Sequence, residues 1–225
     1  MTAAIRPSVP MDALRLIFGS QLRENIPMAD YTTAHVGGTA DALLIANNNL
    51  ELESACRRLW DLDVFFCVLG SGSNVLVSDG GIRGVVIINR ARALRINHPA
   101  DSPSVWVESG ASLSGLARQV ALRGLSGLEW AAGIPGTVGG AVVNNAGSRE
   151  GNIQTSLMVA EILHQVNGKE IWSSSQFGYA YRSSILKGMP RHAVILTAEL
   201  KLVPSTLEEV QSRMSALNAR RRETQ

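Results

Sequence analysis

The sequence predicts an α+β chain. Three observations carry this: a strand–helix–strand order ahead of a glycine-rich turn, strand-like pairs beyond residue 94, and amphipathic helical stretches interleaved with both. Leu14, Ile17, Phe18 and Leu22 recur at near-helical spacing, which predicts a first helix over about residues 11 to 24. "DALLIA" then reads as a strand, "NLELESACRRLWDL" as a helix and "VFFCVL" as a second strand. That strand feeds the turn at its carboxyl end. Beyond it, "NVLVS" and "GVVIIN" are β-branched runs, so more strand is expected there than helix.

From residue 94, "ALRINH" and "SVWVES" read as paired strands, and "ASLSGLARQVALRG" as a helix closed by Gly124. "MVAEILHQVNGKEIW" is a hairpin candidate, because Asn167-Gly168 suits a two-residue turn with positive φ. "HAVILTAELKLV" is a further strand. The segment "STLEEVQSRMSALNARRRETQ" predicts a helix opened by a Ser205/Glu208 capping box, with Leu207, Val210, Met214 and Leu217 on one stripe. Acids stand in its first turn and arginines in its last, as the helix dipole favours. There is no internal repeat and no low-complexity linker.

At 225 residues the chain is long enough for one large domain or two small ones. Its 21 basic and 19 acidic residues are spread along the sequence, so the basic face of a nucleic-acid binder is not expected; only the tail "ARRRETQ" is locally basic. Cys56 and Cys67 lack metal spacing and read as small buried hydrophobes in a reducing compartment. Arg6, Pro7, Asp12 and Arg15 break up the N-terminal apolar stretch, and no apolar run approaches the roughly 18 residues of a membrane span. A cytoplasmic protein without a signal peptide is therefore expected.

Five glycines lie in residues 68 to 87. A loop such as Gly70-Ser71-Gly72-Ser73-Asn74 can turn its backbone N–H groups towards one point and bind an anion, phosphate being the usual guest; the alternative is a tight turn with no ligand. The familiar phosphate motifs do not fit. A P-loop needs Gly-Lys-Ser/Thr, and no lysine precedes Lys169; a dinucleotide fingerprint needs G-x-G-x-x-G opening a helix, and here the spacing fails. A second glycine-rich segment, "GIPGTVGGAVVNNAG", places Gly133, Gly136, Gly139, Gly140 and Gly147 around Pro135, with Asn144 and Asn145 as polar groups. Two such segments suit a long ligand with a charged part and a flat apolar part, the shape of a dinucleotide.

Four stretches, "TTAHVGGTAD", "LGSGSNVLVSDGGIRGVVI", "GLSGLEWAAGIPGTVGGAVVNNAGSREGNI" and "FGYAYRSSILK", resemble the UDP-N-acetylenolpyruvoylglucosamine reductase (MurB) family in content, order and spacing. The resemblance covers nearly the whole sequence. It implies the two-subdomain FAD-binding fold of the vanillyl-alcohol-oxidase/PCMH type, with a first subdomain over 1–88, a second over 89–204, and a C-terminal helix over 205–225 leading to a substrate domain that has no counterpart here. It also implies non-covalent FAD, NADPH as hydride donor, and reduction of UDP-N-acetylglucosamine enolpyruvate to UDP-N-acetylmuramate in peptidoglycan precursor synthesis.

Carried over by position, the pyrophosphate loop falls on Gly70, Ser71, Gly72, Ser73, Asn74 and Val75. The flavin-embracing segment falls on Ile134, Pro135, Gly136, Val138, Gly139 and Gly140, continued by Asn145, Ala146 and Gly147. The family's "YR-x-S" motif corresponds to Tyr181, implied to touch substrate, and Arg182, implied to be catalytic. A guanidinium there stabilises the negative charge that hydride addition leaves on the enolpyruvyl carboxylate. The alternative is a surface arginine paired with an acid. The family's proton-donating serine, in a "G-S-x-F-K-N-P"-like stretch, and its later glutamate have no match, so weak turnover by this chain alone is expected.

His35 stands where the family often has arginine or lysine, and either contacts the flavin or simply packs. His98, His164 and His192 read as structural or exposed, and Glu108, Glu129 and Glu150 as polar handles near the loops. Two other readings remain: a flavin-binding module completed by a separate domain, and a sugar or alcohol oxidase of the same fold.

Overall fold

The computed structural model describes residues 9–97, 102–189 and 192–224. Its first part builds a four-stranded sheet. Helix α1 (Met11–Phe18) leads into β1 (Arg23–Pro27), and β2 (Thr39–Ala46) follows; helix α2 (Asn49–Asp61) then connects to β3 (Phe66–Leu69) and β4 (Ile82–Asn89). The order is β1-β2-β4-β3, with β2 and β3 parallel to β4 and β1 antiparallel to β2. Strand β4 lies centrally because Gly84 to Asn89 are all buried; an unbroken apolar run is what a parallel strand covered on both faces requires.

The second part is antiparallel throughout. After β5 (Leu94–Asn97) and β6 (Ser104–Glu108) come helix α3 (Leu113–Ala121), the short β7 (Leu125–Ser126) and helix α4 (Val138–Asn144). A small hairpin of β8 (Gly147–Ser148) and β9 (Gly151–Asn152) leads through the single turn α5 (Ile153–Ser156) into β10 (Leu157–His164) and β11 (Gly168–Ser173). Strand β12 (Ala193–Lys201), β13 (Val203–Pro204) and helix α6 (Leu207–Thr224) complete the chain. The large sheet runs β11-β10-β12-β6-β5.

The two sheets are joined by one apolar cluster. Leu52, Ala55, Cys56 and Leu59 form the buried stripe of α2 at helical spacing, and Leu163, Val194 and Leu196 of the second sheet pack into the same cluster. A fully buried leucine contributes about 1.5–3 kcal/mol, so α2 holds the two halves by its own side chains. Asn48 caps α2 by accepting from the Glu51 N–H, and the Glu51 carboxylate accepts in return from the Asn47 N–H. The buried Glu108 adds a polar tie, its two oxygens accepting from the N–H groups of Asn49 (3.1 Å) and Ala93 (2.7 Å). It is a structural anchor rather than a handle near the loops.

Local expectations differ in four places. Helix α1 ends at Phe18, because Gly19 adopts φ +51° and turns the chain into β1, a strand the helical spacing of Leu22 concealed. "NVLVS" is not a strand: Gly38 N–H donates to Ser78 O, and Val77 lies against Gly37, so this run is held by a neighbouring loop instead of a ladder. The β10–β11 hairpin pairs His164 with Gly168, leaving a three-residue loop closed by Gly168 at φ +74° instead of a two-residue turn. Helix α6 is capped by Thr206, whose Oγ1 accepts from the Glu209 N–H, one residue later than the Ser205/Glu208 box; Ser205 Oγ donates to the Glu209 carboxylate.

Candidate functional site

Parallel strands expose their carboxyl ends on one side, and the chain leaves β3 there through Gly70–Val75. The second glycine-rich segment meets this loop. A Cβ on Gly70 would collide with the Thr137 side chain, so the approach of the two segments requires glycine at that position. Thr137 is also the N-cap of α4, accepting from the Gly140 N–H, so the middle of the second segment, Val138–Asn144, is a short helix rather than an open loop.

Between the segments lies a cavity of about 1210 Å³. It is lined by Gly70, Ser71, Gly72, Ser73, Asn74 and Val75 from the first segment, and by Ile134, Pro135, Gly136, Gly139, Gly140, Ala146 and Gly147 from the second. Arg182 lines it too. Val138, Asn145 and Tyr181 do not. Val138 is fully buried in the core, Asn145 is 9% exposed beneath the surface, and the Tyr181 side chain is 92% exposed to solvent.

Among the described residues, no hydrogen bond is donated by the backbone N–H groups of Ser71, Gly72, Ser73 or Asn74. A run of unused donors along a cavity wall is able to accept an anion. The charged lining has the matching sign: Arg149, Arg182, Lys187 and Arg220 against Glu150 alone, with Arg220 and Glu150 paired at 3.7 Å. Ile134, Pro135, Val143 and Leu186 add an apolar part to the lining. A cavity whose lining combines a donor-rich stretch with an apolar one fits an elongated cofactor such as FAD.

Arg182 sits in a tight turn. Ala180 N–H donates to Ser183 O and Ser183 N–H returns to Ala180 O, so Tyr181 and Arg182 are the two central residues, Arg182 at φ +54°. Lys187 Nζ donates to the Arg182 carbonyl at 2.7 Å. Helix α6 reaches the cavity with Leu217 and Arg220. It is docked upstream by the buried Val210 and by the Arg213–Glu129 pair at 3.3 Å. Burial pushes the Glu129 carboxyl up, but hydrogen bonds from Ser126 and the Gly127 N–H, with the Arg213 cation, outweigh it and hold the group below its usual range.

His35 is exposed and absent from the lining; its N–H donates to Thr32 O. His164 Nδ1 accepts from the Val166 N–H in the hairpin, and His192 Nδ1 bonds Gln165 Oε1, whereas His98 lies outside the described residues. Burial pushes the Cys56 thiol up to about 12 and that of Cys67, which lines the cavity, to about 11, so both remain protonated at neutral pH.

Several lining residues escaped the sequence reading: Asn89, Ser109, Thr137, Arg149, Lys187 and Arg220. Thr137 carried a signal, since a threonine three residues before Gly140 has N-cap spacing. Asn89 carried another, as a polar residue ending an apolar strand. Arg149 and Arg220 carried none, because nothing local marks a surface arginine as facing a cavity formed by distant segments.

The FAD binding domain family matches residues 40–173. UDP-N-acetylenolpyruvoylglucosamine reductase of Caldanaerobacter subterraneus subsp. tengcongensis is 37% identical over 201 residues, covering 89% of this chain and 65% of that protein. The protein of the same name from Nostoc punctiforme is 42% identical over 179 residues, 79% of this chain and 52% of its own length. The chain thus spans between about half and two thirds of these relatives. The crystal structure of UDP-N-acetylenolpyruvylglucosamine reductase (MurB) from Thermus caldophilus superposes with a TM-score of 0.75 at 33% identity, covering 89% of this chain and 70% of that one. On these grounds the chain belongs to the UDP-N-acetylenolpyruvoylglucosamine reductase family, and what it contributes is that family's FAD binding domain, of the vanillyl-alcohol-oxidase/PCMH type.

Proposed function

We propose that this chain is the FAD-holding part of a reductase that converts UDP-N-acetylglucosamine enolpyruvate to UDP-N-acetylmuramate with NADPH. One observation carries the reading: a single cavity joins the unused donors of Ser71–Asn74, the apolar stretch of Ile134 and Pro135, and the Arg182 turn. FAD, when bound, supplies two-electron hydride chemistry.

The chain's own residues do the rest. Ser71 to Asn74 hold the diphosphate with main-chain donors, Val75 lines the cavity beside them, and Ile134, Pro135 and Gly136 keep water from the ring system. Arg182 sets its planar donors against the substrate carboxylate, where charge accumulates as the alkene is reduced. Lys187 adds a second cation on the same side of the cavity. Tyr181, exposed beside Arg182, meets the substrate arriving from solvent.

The chain spans between about half and two thirds of the length of these relatives, which supports a second reading: these residues hold flavin, and turnover requires a substrate domain besides. A flavin absorption spectrum for the purified or FAD-titrated chain is expected. NADPH oxidation that depends on the enolpyruvyl substrate is expected once the substrate domain is added in trans. Failure of FAD to bind folded protein would remove both readings; oxygen-dependent peroxide formation from a simple sugar would replace them with an oxidase.

A further inference from the structure

Arg182 adopts φ +54°, a left-handed conformation that a long side chain takes up only where its surroundings impose it. Those surroundings are specific. The Ala180 carbonyl, which closes the turn by accepting from the Ser183 N–H, also accepts from Asn145 Nδ2 at 3.1 Å. Two residues beyond Arg182, Ser184 Oγ donates to the Val143 carbonyl at 2.6 Å. Both contacts come from the carboxyl end of α4, the helix that carries the second glycine segment.

Asn145 is the residue that ends α4. Its backbone is left-handed (φ +45°, ψ +54°), a conformation asparagine tolerates better than most side chains, and it is 9% exposed. Its Oδ1 accepts from the Gln154 N–H at 3.1 Å, at the start of α5. That bond fixes the amide: reversing it would set Nδ2 against a donor and Oδ1 against the Ala180 carbonyl. The amide therefore spans α4, α5 and the turn, with its donor side committed to the turn.

We infer that Asn145 is a positioning residue for Arg182: it holds the Ala180–Ser183 turn against the end of α4, so that the wall beside the ring system and the guanidinium move as one body. The inference rests on the role proposed for Arg182. A simple helix cap would need only the left-handed backbone, which glycine supplies at no steric cost. A cofactor contact would need Asn145 in the cavity lining, and it is absent from it.

Two variants of the chain test this. Asn145→Gly keeps the left-handed cap and removes both hydrogen bonds; Asn145→Asp keeps the acceptor for Gln154 and turns an oxygen towards the Ala180 carbonyl. In both, amide hydrogen exchange of Ser183 should speed up at least about tenfold while that of Ile195 and Leu196 in β12 keeps its wild-type rate. FAD affinity, read by flavin fluorescence quenching, should stay within about threefold of wild type, because the cavity wall is untouched. Should one variant fail to fold, the other gives the same readout. Unchanged Ser183 exchange overturns the inference, as does equal acceleration in β12, which marks a merely structural residue. A tenfold loss of FAD affinity without faster exchange in the turn overturns it in favour of a cofactor contact. Wild-type reductase turnover by Arg182→Ala would instead remove the role of Arg182 and leave the exchange result standing.

Discussion

Asn89 Nδ2 donates a 2.8 Å hydrogen bond to Ser109 Oγ, joining the last residue of β4 to the residue that follows β6. Asn89 Oδ1 accepts from the Ala91 N–H, while Ser109 accepts from the Gly139 N–H and donates its own N–H to Leu196 O. A buried polar chain thus runs from the first sheet, under the cavity, to the second glycine segment. Asn89→Ala leaves the Ala91 donor unpaired, which costs about 1–3 kcal/mol. In a chain of this size the melting temperature should fall by roughly 2–10 °C, measured by differential scanning calorimetry. An unchanged melting temperature would mean that water replaces the amide and that the pair does not join the halves.

Gly70 and Thr137 bring the two glycine segments into contact, and a single methyl group is enough to separate them. Gly70→Ala should weaken FAD binding at least about tenfold, a loss of about 1.4 kcal/mol, followed by flavin fluorescence titration. The overall fold should persist, since Gly70 belongs to no strand or helix. FAD affinity equal to wild type would show that the segments can part without disturbing the donors of Ser71–Asn74.

Much of this arrangement is legible in the sequence, for identifiable reasons. The stripe of α2 and the unbroken run of β4 are local patterns with a period, so spacing alone gives them. Most glycine positions in the two segments line the cavity because glycine is demanded wherever backbones approach closely. Leu22 misled because a single residue at helical spacing does not outweigh a glycine at positive φ. "NVLVS" misled because β-propensity describes a side chain's fit to a sheet, and no sheet edge reaches that run. Val138 and Asn145 stand beside lining residues yet do not line the cavity themselves; the helical turn of α4 decides this for Val138, and the left-handed backbone that ends the helix decides it for Asn145.

Arg182→Lys keeps the charge at the turn and loses the planar pair of donors. In the protein supplied with its substrate domain, kcat should fall by about 10²–10³. The absorption spectrum of bound FAD should not change. Reduction of the enolpyruvyl substrate at the wild-type rate, measured by NADPH oxidation, would show that a point charge suffices and that bidentate geometry plays no part.

Glu129 links acid stability to the docking of α6. Its carboxylate accepts from Ser126 Oγ and the Gly127 N–H, both at 2.7 Å, and faces Arg213 of the helix. These partners hold its folded pKa below the unfolded value of about 4.3. The sign follows directly: the unfolded chain binds a proton more readily than the folded one, so unfolding in acid takes up protons. The stability Glu129 confers is fully present above its unfolded pKa and is lost as pH falls through the lower folded value. Glu129→Gln cannot titrate and loses the ion pair. Urea unfolding between pH 7 and pH 3 should therefore show a lower stability for the variant at neutral pH and a shallower decline on acidification, the two curves converging at the acid end. Parallel curves would assign the acid sensitivity to other carboxylates and reduce the Arg213 contact to a screened surface pair.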